Sequence, residues 1–279
     1  MDREGLLDGE LTEERKNWLK GLVDVLGQKS ASSLGGGNFF SKILAKCALR
    51  GDVAAIEEVL STIYPRDYED DETFCDVVTF VAAVGSEKGS SSCSLLLGDS
   101  LAFGWFGLRE QLDRGSWYWS RAMDQGSSKG ALKFANYYEY FHIVGEGELV
   151  LYYCIQAVLI GESAEAFYRI GDFYYEGRVI ERNATMAETL YHRSYDIAKT
   201  EGFDLVLARA ALRLAESKRG RLMSQSFSLS EQEEVLAYYT EAEPIFSSYV
   251  VLVATWQSPF LGLSLTSNVA VKESKKPGR

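Results

Sequence analysis

Four polar residues each stand directly after a small one: Asp99 after Gly98, Asn136 after Ala135, Asp172 after Gly171 and Glu216 after Ala215. About one helical turn further on come the rings of Phe103, Tyr140 and Tyr175. An acid or amide recurring beside aromatic surface is the chemistry of recognition rather than of bond breaking. Carboxylates give charge-assisted hydrogen bonds to Lys or Arg, and rings take apolar or cationic stems. The row also has a structural reading, because polar residues beside a helix crossing satisfy a neighbouring helix or simply meet water. Tyr137, Tyr138, Phe173 and Tyr174 are assigned to packing, as aromatic stripes at helical spacing usually are.

Catalytic constellations have little material. The only histidines, His142 and His192, lie in no HExxH or other ligand-spaced cluster. Gly35, Gly36 and Gly37 lack the Lys of a phosphate loop, and no Ser stands three residues before a Lys, which leaves an SxxK nucleophile without a candidate. A carboxylate pair of the glycosidase kind needs only closeness in space, so a carboxylate-dependent hydrolase stays as a minor alternative. Cys47, Cys75, Cys93 and Cys154 show no CxxC spacing and read as buried thiols of a reducing compartment. No metal and no cofactor is expected.

The elements that must carry the polar row are helical hairpins. Gly98, Ala135 and Gly171 are separated by 37 and 36 residues. The second helices register as well, through Ala122, Ala157 and Ser194, each preceded by Trp or Tyr. A fourth, degraded copy puts Ala215 at the small position and ends in Tyr238, Tyr239 and Ala242. A small residue where two helices cross lets them approach, and large residues three or four positions away fill the grooves beside the contact. One such hairpin cannot bury its own apolar face, so several must stack.

Residues 164–202 resemble the Sel1-like repeat family, a close relative of the tetratricopeptide repeat. Ile170, Gly171, Tyr174, Gly177, Ile180, Ala187 and Tyr191 occupy its signature positions, with Asn183 where that family usually has Asp. The resemblance is weaker over 91–130 and 131–163 and weakest over 205–243. It implies an all-α, right-handed α/α solenoid of stacked helix-turn-helix repeats that scaffolds other proteins. It also implies that the first helices line a concave groove, with Asp99, Asn136, Asp172 and Glu216 projecting into it and Phe103, Tyr140 and Tyr175 alongside. The expected occupant is a protein or a peptide, possibly basic.

The flanks complete the division of the chain. Residues 1–26 read as an N-terminal amphipathic helix capped by Thr12, 27–38 as a flexible linker, and 39–90 as divergent helical hairpins turning at Gly51 and Asp52. About four repeats fill 91–243, a C-terminal capping helix or apolar segment fills 244–271, and 272–279 form a basic tail. Ile245 to Val271 carry no charge, which raises a membrane tail anchor. Pro259, Gly262 and the many Ser and Thr argue against it, since a bilayer requires ~20 predominantly apolar residues.

Composition agrees with this division. The chain has 279 residues, 46% apolar and 25% charged, with four Pro to interrupt helices, so it can bury a sizeable core. A net charge of −11 disfavours direct nucleic-acid binding, which needs clustered cations, and favours a basic or neutral partner. The acidic N-terminus lacks the order of a signal or transit peptide, which makes the cytoplasm the expectation. Asn183-Ala184-Thr185 forms a glycosylation sequon, but Asn183 or Thr185 reads better as a helix cap. The expected function is a non-catalytic scaffold or adaptor, with an architectural subunit of a large assembly, held by convex and terminal surfaces, as the alternative.

Overall fold

The computed structural model describes residues 3–27, 36–64, 70–141, 145–222 and 229–255. Among them the regular structure is entirely helical. A 3₁₀ turn, Arg3–Asp8, is followed by α1 (Glu13–Gly27), α2 (Gly36–Arg50), α3 (Val53–Ser61), α4 (Glu72–Glu87), α5 (Ser91–Phe103) and α6 (Leu112–Asp124). Then come α7 (Ser128–Phe141), α8 (Glu146–Ile160), α9 (Ala164–Glu176), α10 (Ala184–Glu201), α11 (Asp204–Leu222) and α12 (Leu229–Thr255). The chain divides into two compact units, one of Met1–Tyr137 with Tyr152–Ser163, the other of Tyr138–Leu151 with Ala164–Arg279.

In the first unit α4 is the central element. Phe74, Cys75 and every residue from Val77 to Ser86 are buried, as expected of a helix that is apolar all round. Gly85 lets α5 come close, since a β-carbon there would lie 3.1 Å from Cys93 Cβ. The N-terminal turn is fastened by Arg15, whose guanidinium pairs with Asp8, donates to the Glu10 carbonyl at 2.8 Å and lies 5.5 Å over the Phe80 ring. The α2–α3 turn falls at Gly51 and Asp52, with Asp52 Oδ1 accepting from the Ala55 amide at 3.1 Å. One expectation is corrected here. α2 begins at Gly36, inside the stretch read as a linker, because a side chain at Gly37 would sit 2.5 Å from Asp71 Oδ2 and 3.4 Å from Phe74 Cβ. That glycine serves a close helix approach rather than flexibility. Residues 28–35 of the expected linker lie outside the described residues.

The hairpins form at the small residues. A β-carbon on Gly98 would lie 2.6 Å from Trp119 Nε1, and one on Gly115 2.8 Å from the Gly98 carbonyl oxygen, so α5 and α6 cross glycine against glycine. In the second unit a β-carbon on Gly171 would lie 2.6 Å from Tyr191 Cε1. Register makes Cys154 the counterpart of Trp119 and Tyr191. There the crossing residue is Ala135, and both it and Cys154 are fully buried. Where the ring gives way to a thiol, the glycine gives way to alanine. A second small position, five residues earlier in each first helix, is also buried: Cys93, Gly130, Ala166 and Ala210. Gly130 shows its purpose, since a β-carbon there would meet the Trp119 carbonyl oxygen at 2.6 Å, on the helix of the preceding hairpin.

The inter-helix loops repeat as well. Gly104 and Gly177, each six residues after the crossing glycine, both have φ +71°. Two residues later Phe106 and Val179 adopt left-handed backbone at φ 54° and 68°, a conformation that costs an L-residue roughly 1–2 kcal/mol. At Phe106 packing offsets the strain, since it is buried with its ring 6.4 Å from that of Phe74 near the start of α4, whereas Val179 is half-exposed and lies against Gly147 near the start of α8. The loops end on matching backbone bonds, Gln111 N–H to Leu101 O at 2.7 Å and Asn183 N–H to Tyr174 O at 2.9 Å. Asn183 then caps α10, accepting from the Met186 amide at 3.0 Å.

The second unit stacks α9 to α12 in sequence order. Within it α12 runs unbroken through Pro244, although a boundary was expected between 243 and 244. Proline removes one helical hydrogen bond. Ala242 on one side and Ile245 and Phe246 on the other pack on Ala208 and Ala211 of α11, and this contact carries the helix across the gap. Beyond Thr255 the expected capping segment and basic tail lie outside the described residues.

Gly171→Ala is expected to destabilise the protein by about 1–3 kcal/mol through overpacking against Tyr191. In a Tyr191→Cys background, which reproduces the Ala135–Cys154 pairing, the same substitution should cost little. Urea unfolding of the four chains reads the coupling, and strict additivity would refute the crossing geometry.

Candidate functional site

The first-helix polar row is engaged inside the protein. Asp99 is 9% exposed, and its two oxygens accept from Trp119 Nε1 at 3.1 Å and from Lys133 Nζ at 2.6 Å. Asp172 Oδ1 accepts from the Tyr191 hydroxyl at 2.7 Å and from Arg213 Nε at 2.9 Å, and Glu216 accepts from Arg213 Nη1 at 3.2 Å. Each aspartate therefore binds the ring that lies against its own glycine and a cation from the next hairpin. Asn136 is exposed. The sequence placed all four residues at a groove surface, and the structure ties Asp99, Asp172 and Glu216 into ion pairs within the protein.

The cations obey the same register. Lys133, Arg169 and Arg213 stand two residues before Ala135, Gly171 and Ala215. Positions three apart share a helix face, so α9 and α11 each carry a cation and an acid on it, whereas α5 has Leu96 in place of the cation and α7 has Asn136 in place of the acid. Arg169 illustrates the rule by its exception. The residue after Ala135 is an amide, and Arg169 Nη2 instead donates at 2.6 Å to Glu139 Oε2, one turn further along α7. The absence of a ring donor at Cys154 goes with this change, because an unassisted carboxylate beside the crossing would lack its second partner.

Arg213 is the most heavily engaged of the three. Burial works against its charge, but Asp172, the Tyr168 and Tyr191 hydroxyls and Glu216 outweigh it and hold the guanidinium protonated. It also lies 5.5 Å over the Tyr175 ring, which Arg182 approaches at 5.8 Å. Tyr175, read as flanking the groove, is thus enclosed by cations of its own unit. Burial, followed by the Asp172 charge, pushes the Tyr168 and Tyr191 hydroxyls well above the usual phenol range. Of the other flanking rings Phe103 is 41% exposed and Tyr140 48%. His192 is partly exposed, 3.9 Å from Glu188, and His142 lies outside the described residues. Among the described residues no His, Cys, Asp and Glu side chains gather as a metal ligand set. None of their helices is long and apolar enough to cross a membrane.

Sequence reasoning missed one surface. On α8, Val150, Leu151, Cys154 and Ala157 are buried, while Tyr152, Ile155 and Leu159 on the opposite side are 53%, 42% and 72% exposed. Their spacing puts them on one helical face. The equivalent positions hold Trp117, Ser120 and Asp124 in α6, and Thr189, His192 and Asp196 in α10. Only α8 among these three helices is apolar at all of them. The signal was present in the run LVLYYCIQAVLI, which is apolar all round although its helix has only one buried face.

No family model matches the chain, and no curated protein matches it. Among solved structures, a Sel1 repeat protein from Oxalobacter formigenes is similar with 17% identity and a TM-score of 0.47, over 73% of this chain and 77% of that one. A protective antigen present in uropathogenic Escherichia coli strains, displaying an SLR fold, is similar with 11% identity and a TM-score of 0.49, over 97% of this chain and 62% of that one. Both TM-scores lie below 0.5, and the repeat architecture rests instead on the register of the chain's own hairpins.

Arg213→Gln is expected to destabilise the protein by roughly 2–3 kcal/mol, since it strands Asp172 in a partly buried site. In a double-mutant cycle with Asp172→Asn the coupling should exceed ~1 kcal/mol and clearly surpass that of the exposed Lys16–Glu13 pair. Because the folded-state values of Tyr168 and Tyr191 are raised, their contribution is complete below the unfolded phenol value and is lost as pH climbs above ~10. Tyr191→Phe should flatten that alkaline loss in unfolding experiments across pH 8 to 11.

Proposed function

We propose that the chain is a non-catalytic scaffold that holds a partner protein through the outward face of α8. The observation that carries this reading is the exposed row Tyr152, Ile155 and Leu159 on a helix whose counterparts in register are polar at the last two places in α6, Ser120 and Asp124, and at all three in α10, Thr189, His192 and Asp196. Large apolar side chains at such spacing are what a partner helix uses when it lays its own apolar face into a complementary surface. Covering them would contribute on the order of several kcal/mol before the costs of association. The net charge of −11 favours a partner whose apolar row is flanked by Lys or Arg. Of the acids in the first-helix row, Asp99 is held by Lys133, and Asp172 and Glu216 by Arg213.

A second reading keeps the first helices as a peptide-binding surface, built on what remains open there. Its support is the exposure of Phe103 and Asn136, both in the first unit. The α8 face lies on a second helix, and this favours a subunit held in a larger assembly over a peptide groove.

Affinity purification separates the two. The pair Ile155→Asp and Leu159→Asp, both at exposed positions, should leave helix content and thermal stability unchanged while removing the proteins that co-purify with the wild-type chain. Phe103→Ala with Asn136→Lys should retain them. The reverse pattern would establish the groove, and full retention by both variants would end the scaffold reading.

A further inference from the structure

The 3₁₀ turn that precedes α1 is held in the first unit the way a bound peptide is held. Leu6 and Leu7 are 0% and 5% exposed and join the core to which Phe80 and Tyr118 belong, while Asp8 and Glu10 on either side of the buried Gly9 face water. Three carbonyls of the segment are read by side chains of other elements. Arg15 Nη2 donates to that of Gly5 at 2.5 Å, Arg15 Nη1 to that of Glu10 at 2.8 Å, and the buried Tyr118 hydroxyl of α6 to that of Leu7 at 2.8 Å, from 111 residues away. Arg15 also grips the Asp8 carboxylate with both terminal nitrogens. At Gly9 the chain turns left-handed, with φ +65°, and a β-carbon there would lie 2.5 Å from the Ala83 carbonyl oxygen of α4.

A buried place for two leucines, a fork for a carboxylate and donors aimed at main-chain carbonyls are the parts of a peptide-recognition site. We infer that this socket takes a partner segment with two adjacent leucines followed by an acid, which enters by exchange with the chain's own turn. The rest of the unit does not depend on the turn for its crossings, since α1 packs on α2 and α2 on α4 without it. The acid is specified by Arg15, whose side chain is 13% exposed. An occupant lacking it would leave a largely buried guanidinium short of its counter-charge. Because the turn is tethered to α1, it competes at an effective concentration of ~1 mM, and this keeps the socket closed to weaker segments. The socket shares no residue with the α8 face, so failure of either assignment leaves the other standing.

Fluorescence anisotropy of a labelled peptide of residues 3–12, REGLLDGELT, tests the exchange on the full chain. The double variant Leu6→Asp, Leu7→Asp disables the chain's own turn without altering the socket. It should bind the peptide at least roughly tenfold more tightly than the wild type, whose turn competes. Adding Arg15→Gln should weaken that binding roughly tenfold, and replacing both leucines of the peptide by Ala roughly thirtyfold or more. Hydrogen exchange of the wild-type chain gives an independent reading. The Leu6 and Leu7 amides should exchange roughly a hundredfold faster than those of α4, since a displaceable turn opens without global unfolding. Peptide binding no tighter in the double variant, a double variant unfolded by circular dichroism, or Leu6 and Leu7 amides that exchange only together with α4 would each overturn the assignment. Wild-type dimers that the double variant loses would make a second copy the occupant and overturn the choice of partner.

Discussion

A ring lying against a glycine, with its polar hydrogen bonded to the very next residue, is the contact on which this protein is built. Gly98, Trp119 and Asp99 make it in one hairpin, Gly171, Tyr191 and Asp172 in another. The glycine admits the ring, and the ring brings a donor to the carboxylate. The carboxylate then has acceptor capacity left for a cation from the following hairpin, Lys133 or Arg213. Packing within a hairpin and docking between hairpins are therefore set by one side chain. A buried carboxylate is tolerable under such conditions, because both the desolvation of its charge and its hydrogen-bonding capacity are answered locally.

The loops show how far this arrangement constrains the backbone. A non-glycine residue in left-handed conformation is uncommon, and for a β-branched one it is a real outlier. Here it occurs twice at the same place relative to the crossing glycine, with Phe106 and Val179 each closing on the start of the helix before its hairpin. The recurrence makes it a structural device. Holding the loop down fixes where the second helix begins, and hence which of its residues meets the glycine.

Much of this was legible in the sequence, and the remainder was hidden for identifiable reasons. The crossing glycines, the helical hairpins and the Asn183 cap follow from local pattern, since each depends on residues a few positions apart. Whether Asp99 and Asp172 meet water or a cation does not, because the answer lies on the next hairpin. Lys133, Arg169 and Arg213 stood in plain register, but attention to the acids alone leaves them unpaired. Gly37 reads as flexible and Pro244 as a break by composition. Close approach to Asp71 and packing of Ile245 and Phe246 on α11 decide otherwise, and both are tertiary facts. The apolar face of α8 was visible as an excess of hydrophobicity, which acquires meaning only once the buried face is known.

The pairing of Ala135 with Cys154 and Asn136, where two other hairpins pair glycine with a ring and an aspartate, has an evolutionary corollary. Crossing residue, facing residue and following polar residue form a set in which a change to one alone leaves a clash, a void or an orphaned charge. Drift by single steps is blocked there, whereas duplication or recombination of a whole hairpin transports a matched set intact. An array assembled this way can gain or lose members by unequal crossing-over while its individual junctions stay conserved in kind, and its units diverge fastest on the helical faces that this set does not touch.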